Sequence, residues 1–148
     1  MFPEEFHTTV SAEETTEFGR AFAAQLKSPA LVLLRGDLGA GKTTLTKGII
    51  SGLGAATEED VTSPTFNLVH VFKTKDSPPI KVYHVDLYRL EGTNDLLSIA
   101  LEDIMAEPGI AIIEWSERLS LFSAWPVYRI ELEHAGQDRR RIRITYPR

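Results

Sequence analysis

The segment from Gly36 to Thr43 has the residue types and the spacing of a phosphate-binding P-loop. Its three glycines let the backbone come close enough for amide N–H groups to point at phosphate oxygens. The Lys42 ammonium can reach the β- and γ-phosphates, and the Thr43 hydroxyl can coordinate Mg²⁺. The sequence therefore predicts a nucleotide site, whose binding residues are Gly39, Ala40, Gly41, Lys42, Thr43 and Thr44.

The elements that flank this loop are those that its chemistry requires. The apolar run Leu31–Leu34 precedes it and is typical of a parallel strand buried on both faces. Leu45, Ile49 and Leu53 follow at helical spacing and predict an amphipathic helix. The helix N-terminus adds its dipole and its unpaired amides to the anion site. A glycine-rich turn that binds nothing is the alternative, and these flanks disfavour it.

Two acidic residues end neighbouring candidate strands. Hydrolysis requires carboxylates at the carboxyl ends of strands, where they can hold Mg²⁺ or orient water. Glu114 directly follows the run Ile110–Ile113, and Asp86 ends the segment Lys81–Asp86. We therefore predict that Lys42, Asp86 and Glu114 are the catalytic residues. A helix cap or a surface position is the alternative for each acid.

The segment Thr62–Thr65 lies between the P-loop helix and the next strand. P-loop switch proteins often place a hydroxyl that senses the γ-phosphate in this position. From the residues alone a simple turn is the favoured interpretation. The four histidines show no paired metal-ligand spacing. His84 and Asp86 could share a metal on one strand face, although packing beside the site is the simpler account of His84.

Length, composition and charge limit the class of protein. The 148 residues predict a single domain over 1–148, and 43% hydrophobic with 25% charged residues is typical of a soluble globular chain. No apolar stretch reaches membrane-spanning length, and the chain contains no cysteine, which together favour a cytoplasmic protein. The net charge of −5 argues against a strong nucleic-acid footprint. The basic cluster Arg139–Arg141 with Arg143 predicts a solvated face, or else a patch for a phosphate, a base or an acidic partner.

The remaining segments predict a small α/β domain. Ser11 begins a helix that runs to about Leu26, and Glu14 completes a capping box. Strands are predicted at Phe6–Val10, Asn67–Lys73, Ile80–Asp86, Val127–His134 and Arg139–Tyr146, with another helix at Asn94–Met105. The second and third strands of this set are too close for a helical crossover and should pair antiparallel. We expect a three-layer, P-loop NTPase-like domain with a mixed, partly parallel sheet and a C-terminal β-hairpin.

Four motifs together closely resemble the TsaE (YjeE) family of bacterial ATPases. They are the P-loop with Thr44, then Ser63-Pro-Thr65, then Tyr83-His-Val-Asp-Leu-Tyr-Arg89, then Ile113-Glu-Trp115. The resemblance implies a small ATPase, required to make threonylcarbamoyladenosine in tRNA, that acts with a heterodimer of TsaD- and TsaB-like proteins. It also implies ATP, ADP and Mg²⁺ as ligands.

The resemblance assigns further roles to individual residues. Thr43 and Glu114 would hold Mg²⁺, Lys42 would bind phosphate, and Asp86 would support the metal or water. Four other residues would lie around this centre: Ser63 and Thr65 in a switch-like loop, Trp115 beside the site, and Arg139 near the base.

Two other functions remain open at this stage. One is a small-molecule P-loop kinase, which would require an acceptor pocket and a basic lid. The other is a non-catalytic adapter gated by nucleotide. A GTPase is disfavoured because the guanine-reading Asn-Lys-x-Asp sequence is absent. No motif places an arginine over the γ-phosphate, although Arg89 and Arg118 are candidates, and we therefore expect slow ATP turnover without partners.

Overall fold

The structure, a computed structural model, describes residues 3–37, 39, 41–61, 69–86, 102–114 and 124–147. In these ranges the chain forms seven strands, which are β1 (Glu4–Thr9), β2 (Ala30–Arg35), β3 (Val69–Lys73), β4 (Lys81–Asp86), β5 (Ile110–Glu114), β6 (Val127–His134) and β7 (Arg140–Thr145). The helices with described bounds are α1 (Ala12–Ala23) and α2 (Lys42–Gly52). Residues 102–104 are also helical, and Glu58–Asp60 form a short 3-10 turn.

The seven strands form one mixed sheet in the order β1-β7-β6-β2-β5-β4-β3. The central strands are parallel, because β2 pairs in parallel with β5 and β6, and β4 pairs in parallel with β5. The outer pairs β1–β7, β6–β7 and β3–β4 are antiparallel. The mixed sheet, the antiparallel β3–β4 pair and the C-terminal hairpin confirm the predicted α/β fold. The carboxyl ends of β2, β4 and β5 consequently meet at one edge of the sheet.

Apolar side chains on both faces of the central strands form the core. On one face Val32, Leu34 and Ile112 pack with α1 and α2. On the other face Leu33 and Ile113 pack with Ile104, which lies six residues before β5 in the sequence. The run Leu31–Leu34 has at most 3% exposure at any position, as expected for a strand buried on both faces.

Element ends differ in detail from the sequence prediction. The first strand begins at Glu4 rather than at Phe6. The first helix ends at Ala23 rather than near Leu26, because the amides of Gln25 and Leu26 donate to carbonyl oxygens three residues before them, as in a 3-10 turn. Ser11 caps α1 as predicted and accepts a hydrogen bond from the Glu14 amide at 3.1 Å. The Glu14 carboxylate accepts from the Val10 amide at 3.1 Å, one residue before the amide that a capping box uses.

Helices α1 and α2 pack backbone against backbone through three glycines. A Cβ atom at Gly48 would lie 2.1 Å from the Thr16 carbonyl oxygen, and one at Gly19 would lie 2.6 Å from the Leu45 carbonyl oxygen. A Cβ atom at Gly52 would lie 2.8 Å from the Cα atom of Arg20. This close contact determines where the helix after the P-loop lies.

Other predictions are tested only in part or not at all. No helix in the described ranges is long and apolar enough to cross a membrane. The cytoplasmic location and the single domain over 1–148 stay predictions. Of the predicted helix Asn94–Met105, only its last turn lies in the described residues.

Candidate functional site

The P-loop connects the carboxyl end of β2 to the first residue of α2, as the sequence predicts. Gly39 and Gly41 have φ angles of 82° and 99°, a region that residues with a side chain rarely adopt. Gly41 is the N-cap of α2 and offers no side-chain oxygen to the first amides of the helix. Those amides and the positive end of the helix dipole therefore face the loop, an arrangement suited to an anion.

The Lys42 side chain lies within the loop and is only 5% exposed. Its ammonium donates hydrogen bonds to the carbonyl oxygens of Gly36 and of Asp37, the latter at 3.1 Å. A buried ammonium is stable only when its donors are bonded, and the loop carbonyls provide those acceptors. The Lys42 ammonium is thus held close to the amides at the start of α2, next to the position where they would bind a phosphate.

Glu114 ends β5 beneath the first turn of α2 and is 1% exposed. The Thr43 hydroxyl donates to its Oε1 atom at 2.9 Å. The His84 Nε2 atom bonds to the other oxygen, Oε2. Thr46 lies 3.5 Å from Oε2, but its hydroxyl donates to the Lys42 carbonyl oxygen at 2.9 Å. The carboxylate is therefore tied both to the P-loop helix and to the neighbouring strand β4.

Asp86 is the register partner of Glu114 across the parallel β4–β5 pair. Partners in register point to the same face of a sheet, so both acids project towards α2 at the carboxyl edge. Asp86 is half-buried at this position. The structure thus brings together Lys42, Thr43, Asp86 and Glu114, four residues that the sequence predicts for the site.

The oxygen atoms of Thr43 and Glu114 fit a magnesium ion. Mg²⁺ binds oxygen ligands at about 2.0–2.1 Å in an octahedron, so adjacent ligands lie about 2.9 Å apart. The Thr43 Oγ1 and Glu114 Oε1 atoms are 2.9 Å apart. The described residues contain no group of three or more carboxylates and imidazoles that could hold a metal.

The site also has two features that the sequence interpretation did not include. His84 lies buried beside the site, as its packing interpretation predicts, and its imidazole also bonds to Glu114, which that interpretation does not include. The Arg140 Nη2 atom reaches the P-loop and donates to the Gly39 carbonyl oxygen at 3.2 Å. The position of Arg139 near the base stays a prediction. The alternation of β7 indicates only that Arg140 lies on the same face as Ile142, and not that its side chain reaches the P-loop.

Some predicted site residues lie outside the described part of the chain. These are Ala40, Ser63, Thr65 and Trp115, and also the two arginine candidates Arg89 and Arg118. Thr44 is described and lies half-buried in the first turn of α2, where the prediction places it next to the nucleotide.

Comparison with known proteins gives a consistent result. The family profile described as "Threonylcarbamoyl adenosine biosynthesis protein TsaE" matches residues 9–142. A protein of Rickettsia bellii named tRNA threonylcarbamoyladenosine biosynthesis protein TsaE is 38% identical over 135 residues, covering 91% of this chain and 90% of that protein. A protein of Nostoc with the same name is 38% identical and covers 90% of this chain and 80% of that protein.

The fold is similar to a solved structure as well. The crystal structure of Bacillus subtilis YdiB superposes with a TM-score of 0.74 at 30% sequence identity, and the match covers 100% of this chain and 88% of that one. The profile spans most of the chain, and the P-loop, Asp86 and Glu114 lie within it. From its sequence and its fold, the chain belongs to the TsaE family.

Proposed function

We propose that this protein is a magnesium-dependent ATPase that takes part in making threonylcarbamoyladenosine in tRNA, together with TsaD- and TsaB-like proteins. Family membership and the names of the relatives support the pathway. The observation that carries the ATPase part is the contact between Thr43 and Glu114, which joins a P-loop helix to a strand-end acid.

The P-loop and the start of α2 bind the phosphates. The backbone amides around Gly41 and Lys42 donate to phosphate oxygens, and the helix dipole adds to the attraction. The Lys42 ammonium exchanges its bonds to the Gly36 and Asp37 carbonyl oxygens for bonds to the β- and γ-phosphates. This exchange keeps the ammonium bonded throughout, so little is lost when the nucleotide enters.

The metal would be held by Thr43 and Glu114. When bound, Mg²⁺ neutralises phosphate oxygens and stabilises the charge that develops on the leaving ADP. Asp86, next to Glu114 in the sheet, orients the attacking water or a water bound to the metal. The chain thereby positions the reactants for hydrolysis of ATP to ADP and phosphate.

Turnover by the chain alone should be slow. An arginine placed over the γ-phosphate is typically worth about 10³–10⁵ in rate, and no sequence motif here supplies one. We therefore propose that binding of the TsaD- and TsaB-like partners completes the site and raises the rate.

The first test is ATP hydrolysis by the purified protein, with and without a TsaD–TsaB heterodimer. We expect a slow basal rate that rises with the heterodimer and is lost in Lys42→Ala. Lys47→Ala is the matched control, because Lys47 is on the same helix but is half-exposed and away from the loop. A basal rate that does not respond to the heterodimer would refute the partnership.

A second variant separates binding from chemistry. Glu114→Ala should abolish Mg²⁺-dependent hydrolysis while the protein still binds nucleotide, because the loop amides and Lys42 remain. Normal hydrolysis by this variant would show that Glu114 is not the metal acid. Transfer of labelled phosphate to an acceptor molecule would favour the small-molecule kinase. Tight nucleotide binding with no turnover under any condition would favour the adapter.

A further inference from the structure

His84 is a polar residue in a place where an apolar one would be expected. It lies on β4 between Tyr83 and Val85, pairs in register with Ile112 of β5, and is 0% exposed. Its Nε2 atom bonds to Glu114, whereas its Nδ1 atom is buried without a hydrogen-bond partner among the described residues. Burial of an imperfectly bonded imidazole is unfavourable compared with an apolar side chain. The hydrogen bond to Glu114 is therefore the one favourable contact, in the described part of the chain, in which a histidine at this position differs from an apolar residue.

The parallel sheet explains why this imidazole meets that carboxylate. Asp86 and Glu114 are opposite each other at the ends of β4 and β5. His84 lies two residues before Asp86 and so points to the same face of the sheet, towards α2. From there the ring reaches along the face to the Oε2 atom of Glu114, while Thr43 of α2 bonds to Oε1.

The two hydrogen bonds fix the orientation of the carboxylate. The terminal torsion of a glutamate is broad and has no strong intrinsic preference. An ionised carboxylate only accepts hydrogen bonds, so Nε2 must carry the proton that it donates. The hydroxyl of Thr46 is a weaker donor to Oε2, because it lies 3.5 Å from that oxygen and 2.9 Å from the Lys42 carbonyl oxygen, the closer acceptor for its single proton. Without His84, Oε2 would lose its imidazole donor, and the carboxylate would be free to turn away from Thr43.

We infer that His84 is a positioning residue for the metal site: it holds Oε2 of Glu114 so that Oε1 remains next to the Thr43 hydroxyl, ready to bind Mg²⁺. This inference rests on the proposed function, since it concerns the same nucleotide and metal site. A hydrogen-bond partner that orients a metal ligand typically changes metal affinity or activity by about 10–100-fold when it is removed. A histidine that served only the packing of β4 would affect stability and leave the metal dependence unchanged.

The test is the Mg²⁺ dependence of nucleotide binding, measured without turnover. A fluorescent, non-hydrolysable ATP analogue is titrated into each protein in EDTA and at increasing Mg²⁺. The variants are His84→Leu, which removes the donor, and His84→Gln, whose amide nitrogen can occupy the position of Nε2. His70→Leu is the control, because His70 lies beside His84 on β3, where its described contacts are with the rings of His84 and Phe72.

In His84→Leu we expect the Mg²⁺ concentration that gives half of the gain in affinity for the analogue to rise about 10–100-fold. The affinity for the analogue in EDTA should be unchanged. His84→Gln should restore most of the Mg²⁺ dependence, and His70→Leu should match the wild type. Should His84→Leu fail to fold, His84→Asn takes its place, because its shorter amide cannot reach Glu114 and it should behave unlike His84→Gln.

Three outcomes would overturn the inference. The first is a normal Mg²⁺ dependence in His84→Leu, or equal behaviour of His84→Asn and His84→Gln. The second is an equal loss of affinity with and without Mg²⁺, which would indicate packing. The third is wild-type protein that binds the analogue no better with Mg²⁺ than in EDTA. That last result would refute the proposed function itself, whereas the first two leave it intact.

Discussion

The contact between α1 and α2 makes a sharp prediction for Gly48→Ala. In an exposed helix this change would be stabilising, because alanine exceeds glycine in helix propensity by about 1 kcal/mol. At Gly48 the added methyl group would lie 2.1 Å from the Thr16 carbonyl oxygen and 2.9 Å from its carbonyl carbon. Both atoms belong to the backbone of α1, so no side-chain rotation can relieve the clash.

The size of the effect follows from the distance. Real Cβ contacts are essentially never shorter than 3.0 Å, and the methyl group falls short of that limit by about 0.9 Å. The helices must separate by a similar amount, and a gap of about 0.5–1 Å forfeits a quarter to a half of the dispersion energy across the contact. Overpacking typically costs about 1–3 kcal/mol, occasionally more. We expect a net loss of about 2–3 kcal/mol, or roughly 4–12 °C in the melting temperature.

The assay is urea unfolding followed by circular dichroism, compared across a glycine series. Gly48→Ala should be the most destabilising, followed by Gly19→Ala and Gly52→Ala. The added Cβ atom would lie 2.1, 2.6 and 2.8 Å, respectively, from its nearest heavy atom in the other helix. Lys47→Ala is the control, because Lys47 is adjacent in the same helix but lies half-exposed. A Gly48→Ala protein as stable as the wild type, or more so, would refute the close packing.

Three further changes test other parts of the structure. Ser11→Ala should lower the free energy of unfolding by about 1 kcal/mol, because it removes the N-cap of α1, and urea unfolding measures this. Arg140→Met should weaken nucleotide binding while the fold remains stable, since it removes the bond to the Gly39 carbonyl oxygen; unchanged affinity would show that the bond is incidental. Ile49→Ala should cost about 2–5 kcal/mol at a fully buried position, whereas Val71→Ala, at a position 53% exposed, should be nearly neutral in the same urea unfolding assay.

The sequence predicted best what depends on local signals. The strand before the P-loop and the helix after it are as predicted, because apolar periodicity acts over a few residues. The antiparallel pairing of β3 with β4 followed from the short connection between them. Both acids were located because each ends a predicted strand, and the parallel register places them side by side.

Features that depend on contacts between distant segments could not be predicted. The bond from His84 to Glu114 requires that β4 lies beside β5 in one particular register, which no local pattern encodes. The arginines of the basic cluster near the C-terminus also have different surroundings, which depend on contacts with distant segments. Arg143 pairs with Glu131 of β6, Arg140 bonds to the P-loop, and Arg141 lies exposed. A count of arginines treats these as one patch, whereas the alternation of β7 directs them to different faces.

The helix contact and the metal site are mechanically connected through α2. One side of α2 packs on the backbone of α1, and its first turn carries Thr43, which bonds to Glu114 of the sheet at 2.9 Å. A hydroxyl bond of this kind weakens once the oxygens separate beyond about 3.0 Å, so it tolerates a displacement of only a few tenths of an ångström. The displacement required by a methyl group at Gly48 is larger than that. If α2 takes up even half of it, Thr43 moves away from Glu114, and Mg²⁺ dependence should be weakened in protein that is still folded. Substitutions in β1, at the far edge of the sheet, should alter stability without this effect, because β1 pairs only with β7 in the described sheet.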